Sequence, residues 1–147
     1  MKKFIISIDA GTTSNRSILF DLKGKPIFSS QKEFTQYFPK SGWVEHNPDE
    51  IWKTTIKTLK DVIQKAKRLK GKILSIGITN QRETTVLWDK KTGKPVYKAI
   101  VWQDRRTEEF CKKLRKQNKD TMVFNKTGLL IDSYFSGTKI KWIIDNV

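Results

Sequence analysis

An apolar run near the start of the chain ends in an acid and a hydroxyl-rich turn, at residues 4–16 (FIISIDAGTTSNR). Its apolar part predicts a strand that is covered on both faces, with Asp9 at the carboxyl end. Gly11 lets the backbone approach a ligand closely. Thr12, Thr13 and Ser14 offer hydroxyl and backbone N–H groups that suit phosphate oxygens, and Arg16 adds a positive charge. A purely structural hairpin with a threonine-rich tip is the alternative.

Two further strand-like runs follow, at residues 17–21 and 26–34, and they are separated by a turn at Gly24. Three strands joined by short turns predict an antiparallel meander. The hydroxyl-bearing turn would form the tip of its first hairpin. Residues 35–46 lack a clear period and are predicted to form an ordered loop.

Asn47, Pro48 and Glu50 form the start signal of a helix. Apolar residues then recur at helical spacing, which predicts an amphipathic helix closed by Gly71. Its predicted apolar positions are Ile51, Trp52, Ile56, Leu59, Val62, Ile63, Ala66 and Leu69. A buried strand at 73–79 follows, so strand, helix and strand require a parallel crossover. We therefore predict an α/β fold with a mixed sheet, an antiparallel first meander and helices on both faces.

The remaining chain alternates shorter elements. We predict strands at 86–89 and 96–102 and a helix at 103–116 with Asp104 as its cap. A short helix at 121–126 and a last helix at 136–146, with a face of Ile140, Ile143, Ile144 and Val147, complete the pattern. The chain stops without a cap or polar tail, which suggests a truncation inside a larger protein.

Composition limits the classes of function. The 147 residues suit one domain, and neither an export signal nor an apolar run of membrane-spanning length is visible. One cysteine, Cys111, fits a reducing cytoplasm. The net charge of +15 leaves a nucleic-acid-binding domain as an alternative. We do not favour it, because the charge comes mostly from lysines spread along helical faces rather than from arginines.

Arg82 and Glu83 are neighbours in a polar loop at the carboxyl end of the second buried strand, where ligands gather in α/β folds. A guanidinium and a carboxylate together can bind neighbouring hydroxyl groups, although a surface ion pair is the simpler interpretation. Trp102 and Phe135 are candidate apolar walls, and Tyr134 adds a hydroxyl, but all three also suit a core. The only histidine, His46, has no metal-ligand pattern around it and is interpreted as structural.

Five blocks of sequence together resemble the amino-terminal part of the glycerol kinases in the FGGY family of carbohydrate kinases. They are residues 9–16 (DAGTTSNR), 42–48 (GWVEHNP), 77–85 (GITNQRETT), 101–106 (VWQDRR) and 134–139 (YFSGTK). The resemblance implies a ribonuclease-H-like fold, as in actin and hexokinase, and transfer of a phosphoryl group from ATP to glycerol. On this basis residues 1–147 are a partial N-terminal kinase domain.

The resemblance also implies residue roles. Thr12, Thr13 and Ser14 match positions that hold the nucleotide phosphates, Thr12 also matches a product contact, and Arg16 matches an arginine that contacts ADP. The glycerol ligands are matched by Arg82, Glu83 and Tyr134, while Trp102 matches the indole on glycerol's carbon face. Asp9 matches the acid near Mg²⁺.

Other family features lie outside this sequence or differ from it. The resemblance implies that the general base, an aspartate, and the adenine-binding C-terminal domain follow Val147, so we expect these residues alone to be inactive. It also implies a full-length homo-oligomer. Ala10 replaces the usual glutamine. Alternatives are a kinase of another small polyol or sugar, a non-catalytic polyol-binding fragment, and the nucleic-acid-binding domain.

Overall fold

The computed structural model describes residues 1–147, whose packing separates two compact units. The first unit is Met1–Thr35 with Asp49–Gln81, and the second is Gln36–Pro48 with Arg82–Val147. None of the helices combines the length and the apolar character needed to cross a bilayer. In chain order the elements are β1 (Lys2–Ala10), β2 (Ser14–Asp21), β3 (Pro26–Glu33), β4 (Glu45–His46), α1 (Pro48–Arg68), β5 (Gly71–Thr79), β6 (Ala99–Ile100), α2 (Glu108–Lys116), α3 (Asp120–Thr127) and α4 (Ser136–Asn146).

The first unit is built on a four-stranded sheet in the order β3-β2-β1-β5. β2 pairs antiparallel with both β1 and β3, while β5 pairs parallel with β1. The predicted meander and mixed sheet are therefore confirmed. α1 supplies the parallel crossover between the meander and β5.

The core of the first unit lies between one face of the sheet and α1. It consists of Phe4, Ile6, Ile8, Leu19, Val62 and Ala66. Ile5, on the opposite face of β1, is 37% exposed, so the expectation of a strand covered on both faces is wrong for β1. We expected helices on both faces of the sheet. The first unit contains only one helix, α1, so no helix of this unit covers the second face. Trp52 also departs from its predicted apolar face and is 65% exposed.

Gly71 does not end α1 as predicted. Lys70 takes the left-handed conformation, with φ at 51°, and Gly71 is already the first residue of β5. A Cβ atom on Gly71 would lie 2.1 Å from Cε2 of Phe4. A glycine is needed here because the buried ring of Phe4 lies against its backbone, not because a helix must stop.

The second unit contains the two-stranded pair β4-β6 and the helices α2, α3 and α4. Its buried apolar residues are Ala99, Ile100, Val101, Cys111, Ile131 and Ile143. The predicted strand at 86–89 is wrong, since only the isolated bridges Thr85–Ile100 and Trp88–Pro95 form there. The predicted strand at 96–102 is reduced to β6, and the predicted loop 35–46 ends in β4.

A buried ion-pair cluster around Arg106 links distant segments of the second unit. Its guanidinium donates to Glu45 Oε1 at 2.8 Å and to Asp104 Oδ2 at 2.9 Å. It also lies 3.8 Å from the ring centroid of Trp43 and 4.6 Å from that of Trp142. Burial alone would lower the pKa of Arg106, but the hydrogen bonds that its guanidinium donates to Asp104 and Glu45 outweigh burial and raise the pKa.

Asp104 is therefore not the cap of a helix, and that prediction is wrong. Its carboxylate accepts hydrogen bonds from the backbone N–H groups of Val44 at 2.6 Å and Arg106 at 2.8 Å. α2 begins only at Glu108. In α4, Trp142 faces this cluster, whereas Ile144, predicted on the apolar face, is largely exposed.

Candidate functional site

The tip of the first hairpin, in the first unit, is a tight turn fixed by backbone hydrogen bonds. Gly11 N–H donates to the Ser14 carbonyl at 3.0 Å, and a Cβ atom on Gly11 would lie 2.9 Å from that same oxygen. Phe34 N–H donates to the Thr13 carbonyl at 3.3 Å, which ties the tip to the end of β3. These bonds fix the backbone that carries the hydroxyl side chains of Thr12, Thr13 and Ser14.

A row of polar residues crosses the sheet next to this tip. Asp9 pairs in register with Arg16, and Arg16 with Gln31, so the three side chains share one face of the sheet. Gln31 donates to Ser14 Oγ at 2.8 Å and accepts from Arg16 Nε at 3.0 Å. Gln31 thus orients two predicted phosphate ligands. Sequence reasoning missed it, because an exposed glutamine in a strand carries no local signal.

Asn15 anchors the tip to α1 from the other face of the sheet. It is fully buried, and its Nδ2 donates to the Ile51 carbonyl at 2.9 Å and to Thr54 Oγ1 at 2.7 Å. These two bonds fix the position of the hairpin tip relative to α1. The tip is therefore held by α1 on one face of the sheet and by the Gln31 side chain of β3 on the other.

Glu83, in the second unit, lies at the start of α4. Its Oε2 accepts hydrogen bonds from the backbone N–H of Ser136 at 2.8 Å and from Ser136 Oγ at 2.7 Å. A carboxylate at a helix N-terminus is stabilised by the unpaired N–H groups there. Glu83 itself has a φ of 59°, an uncommon conformation for a non-glycine residue and a frequent one at functional sites.

Three aromatic rings form a continuous chain in the same unit. The centroids of Trp102 and Tyr134 lie 5.9 Å apart, and those of Tyr134 and Phe135 lie 5.1 Å apart, both edge to face. Because Phe135 directly precedes Ser136, the chain of rings ends beside the helix start that Glu83 caps. Arg82 is exposed next to Glu83. Apolar rings with an adjacent carboxylate and guanidinium suit a small molecule that has hydroxyl groups on a short carbon skeleton.

The predicted site residues therefore form one group in each unit. Asp9, Thr12, Thr13, Ser14 and Arg16 belong to the first unit, whereas Arg82, Glu83, Trp102, Tyr134 and Phe135 belong to the second. His46 is buried and hydrogen-bonded to Gln36 Oε1. No group of three or more histidine, cysteine, aspartate or glutamate residues forms a metal site. Ser136 and Lys139, which contact the second group, were not singled out from the sequence.

Comparison with known proteins identifies the family. Residues 4–147 match the N-terminal domain of the FGGY family of carbohydrate kinases. The chain belongs to this family. It is 60% identical over 146 residues to a protein named glycerol kinase from Oceanobacillus iheyensis, an alignment that covers 99% of the chain and 29% of that relative. The chain thus spans about three tenths of the length of these relatives.

Solved structures agree with this family. A glycerol kinase from Plasmodium falciparum crystallised with ADP matches with a TM-score of 0.93 and 37% identity, over 99% of the chain and 29% of that structure. A gluconate kinase from Lactobacillus acidophilus matches with a TM-score of 0.90 at 23% identity, over 99% and 29%, which shows the fold alone. The predicted fold class is confirmed.

Proposed function

We propose that this FGGY chain is the N-terminal part of an ATP-dependent glycerol kinase. The observation that carries the proposal is the 60% identity over nearly the whole chain to a relative named glycerol kinase. The structural similarity to a glycerol kinase with ADP supports it independently. The single cysteine, Cys111, which is buried, is consistent with a protein of a reducing compartment such as the cytoplasm.

In this proposal the hairpin tip binds the phosphates of ATP. Thr12, Thr13 and Ser14 supply hydroxyl and N–H donors, and Arg16 supplies a fixed positive charge. The fixed turn supports these roles, because donors that are already in place need no ordering when charge develops. Gln31 would hold the side chains of Ser14 and Arg16 in place through its two hydrogen bonds.

Asp9 is the proposed Mg²⁺ contact. It is exposed at the carboxyl end of β1, and none of the ion pairs in the structure involves it. One accessible carboxylate fits Mg²⁺, which is commonly held by one or two carboxylates together with waters and substrate phosphates. When bound, the ion would neutralise charge on the phosphate oxygens.

Glycerol is assigned to the group in the second unit. Glu83 Oε2 is occupied by Ser136, so Oε1 is the atom that we assign to a glycerol hydroxyl. Arg82 would donate to a second hydroxyl, and Tyr134 would offer its phenol. Trp102 and Phe135 would cover the carbon skeleton. Hydrogen bonds to charged groups contribute about 1.5 to 3 kcal/mol each, enough to select a polyol over a deoxy analogue.

In the proposed reaction a glycerol hydroxyl oxygen bonds to the γ-phosphorus of ATP while the bond to the β,γ-bridging oxygen breaks and ADP leaves. The hydroxyl proton passes to a general base, which the family resemblance assigns to a region after Val147. Residues 1–147 would then hold and orient the reactants but turn over negligibly on their own.

The test is ADP release by a protein of the relatives' full length that carries this chain. We expect ADP release to require glycerol, and a panel of polyols and sugars to give lower kcat/KM. Arg82→Ala should raise the KM for glycerol, whereas Arg68→Ala, a change at an exposed arginine at the end of α1, should not. A higher kcat/KM for another polyol would replace glycerol as the substrate. ADP release that no polyol stimulates would refute the kinase assignment.

A further inference from the structure

Lys139 is a charged side chain that is completely buried in the second unit. It lies in the first half of α4, with an exposed fraction of 0%. Lysine is almost never buried to this extent unless its ammonium group is paired. Lys139 Nζ donates to the carbonyl oxygens of Ser133 at 2.7 Å, of Phe135 at 3.2 Å and of Tyr134. The three hydrogens of the ammonium group thus match three successive backbone acceptors.

The N–H groups of the same segment are held as well. Tyr134 N–H donates to Asp132 Oδ1 at 2.7 Å, and Ser136 N–H donates to Glu83 Oε2 at 2.8 Å. The segment from Ser133 to Ser136 is therefore fixed through its carbonyl groups on one side and its N–H groups on the other. Lys139 is the only residue that reaches three of its carbonyl groups.

A general role in stability does not explain this arrangement fully. An apolar residue at position 139 would avoid the cost of burying a charge, and such replacements are often neutral or stabilising when no partner is left unpaired. Here it would remove the ammonium donor from three carbonyl groups, of which only that of Phe135 has a second side-chain donor, Thr138 Oγ1 at 3.4 Å. The backbone that these bonds fix carries the rings of Tyr134 and Phe135.

We propose that Lys139 is a positioning residue for the polyol site, holding the Ser133–Phe135 backbone so that the two rings face the substrate. This inference rests on the proposed function for the role of the rings. Lys139 touches no reacting atom itself. It acts through the backbone that it binds.

Hydrogen exchange on the full-length protein tests whether Lys139 holds the Ser133–Phe135 backbone. This test does not depend on whether the protein phosphorylates glycerol. Lys139→Met should accelerate exchange of the amides at residues 133–136 by about tenfold, because the segment loses three bonds that oppose local opening. Lys141→Met is the matched control, since Lys141 lies exposed on the same helix and pairs with Asp145. Unchanged exchange at these amides in Lys139→Met would overturn the proposal.

Steady-state kinetics test whether Lys139 positions the two rings for glycerol. Lys139→Met should raise the KM for glycerol about tenfold and leave the KM for ATP within about twofold, because the displaced rings belong to the glycerol group. In a Tyr134→Ala background the same change should have a smaller effect. A merely structural lysine would lower stability and change both KM values alike, which would overturn the inference.

Two further outcomes separate the possible failures. If the wild-type protein releases no ADP with any polyol, the proposed function fails while hydrogen exchange still decides whether Lys139 holds the segment. If Lys139→Met does not fold, Asp132→Ala releases the Tyr134 N–H without leaving a charge buried. We expect this variant to raise the KM for glycerol selectively, and an unchanged KM would count against the proposal.

Discussion

Gly71→Ala should destabilise the first unit through a single contact. The added Cβ would lie 2.1 Å from Cε2, 2.5 Å from Cδ2 and 3.3 Å from Cζ of Phe4. Real Cβ atoms do not approach a ring carbon this closely, so the ring or β5 must move. Phe4 is buried in the core beside Ile6 and Val62, which leaves its ring little room. Overpacking of this kind costs about 1 to 3 kcal/mol.

Gly77→Ala is the matched control in the same strand. A Cβ there meets no atom within 4 Å. Both substitutions restrict the unfolded chain similarly, by about 0.4 to 1 kcal/mol, so this contribution cancels between them. The difference in the free energy of unfolding between the two variants should then be about 1 to 3 kcal/mol. At a urea m-value of about 2 kcal/mol/M, this corresponds to a midpoint lower by about 0.5 to 1.5 M for Gly71→Ala.

A double substitution shows whether Phe4 is the cause. Phe4→Leu shortens the side chain and, by itself, should be destabilising because it leaves a cavity. In the Gly71→Ala background it should cost less, since it also relieves the clash. Urea unfolding followed by far-ultraviolet circular dichroism gives all the values. Equal midpoints for the two alanine variants, or strict additivity with Phe4→Leu, would refute the reasoning.

Three other predictions follow from buried polar contacts. Arg106→Met should lower the free energy of unfolding in urea by about 3 to 5 kcal/mol, because Glu45 and Asp104 lose their buried cation. Arg105→Met, which removes an exposed ion pair with Asp132, should change the free energy of unfolding by under about 1 kcal/mol. Burial lowers the pKa of Lys139 from 10.5 to about 8, although the negative charges of Glu83, Asp104 and Asp132 act in the opposite direction. Between pH 8 and pH 10.5 the unfolded chain therefore binds more protons at this lysine than the folded chain does. The stability of the wild type relative to Lys139→Met should therefore rise, by up to about 3 kcal/mol, between pH 8 and 10.5, and a fall across this range would contradict the assignment. Thr58→Val should cost about 1 to 3 kcal/mol because it removes the partner of Ser17 Oγ, 2.9 Å away, and the double variant with Ser17→Ala should cost less than the sum of the two single changes.

The elements that sequence predicted best are those whose signals are local. The Asn47-Pro48 start signal places the beginning of α1 at Pro48, where the structure has it. The last helix was predicted at 136–146 and is found as Ser136–Asn146. The strand, turn and strand spacing of the first 34 residues also gave the meander. In each case the cap, the turn or the periodicity is contained within the segment itself.

The errors concern residues whose partners are distant in sequence. Asp104 stands where a helix cap would, but its carboxylate binds Val44, which lies 60 residues away. Gly71 stands where a helix terminator would, but it is required by the ring of Phe4. Local patterns name a residue type that several environments accept, and only tertiary packing selects among them.

The candidate site shows the same division. Glu83, Trp102, Tyr134 and Phe135 were identified from sequence blocks, and the structure groups them within one unit. Lys139 stands in the last of these blocks, but a lysine destined for burial is indistinguishable in sequence from one that faces solvent. Its role depends on the carbonyl groups that the preceding loop turns toward it.

In the proposed function, the nucleotide phosphates bind to the first unit and glycerol binds to the second. The most direct measurement is the pair of KM values, for ATP and for glycerol, in the Ser14→Ala and Glu83→Gln variants of the full-length protein. We expect Ser14→Ala to raise only the KM for ATP. Glu83→Gln should raise only the KM for glycerol, by about tenfold, because a charged hydrogen bond becomes a neutral one. Exchanged effects, or unchanged KM values in both variants, would contradict the assignment.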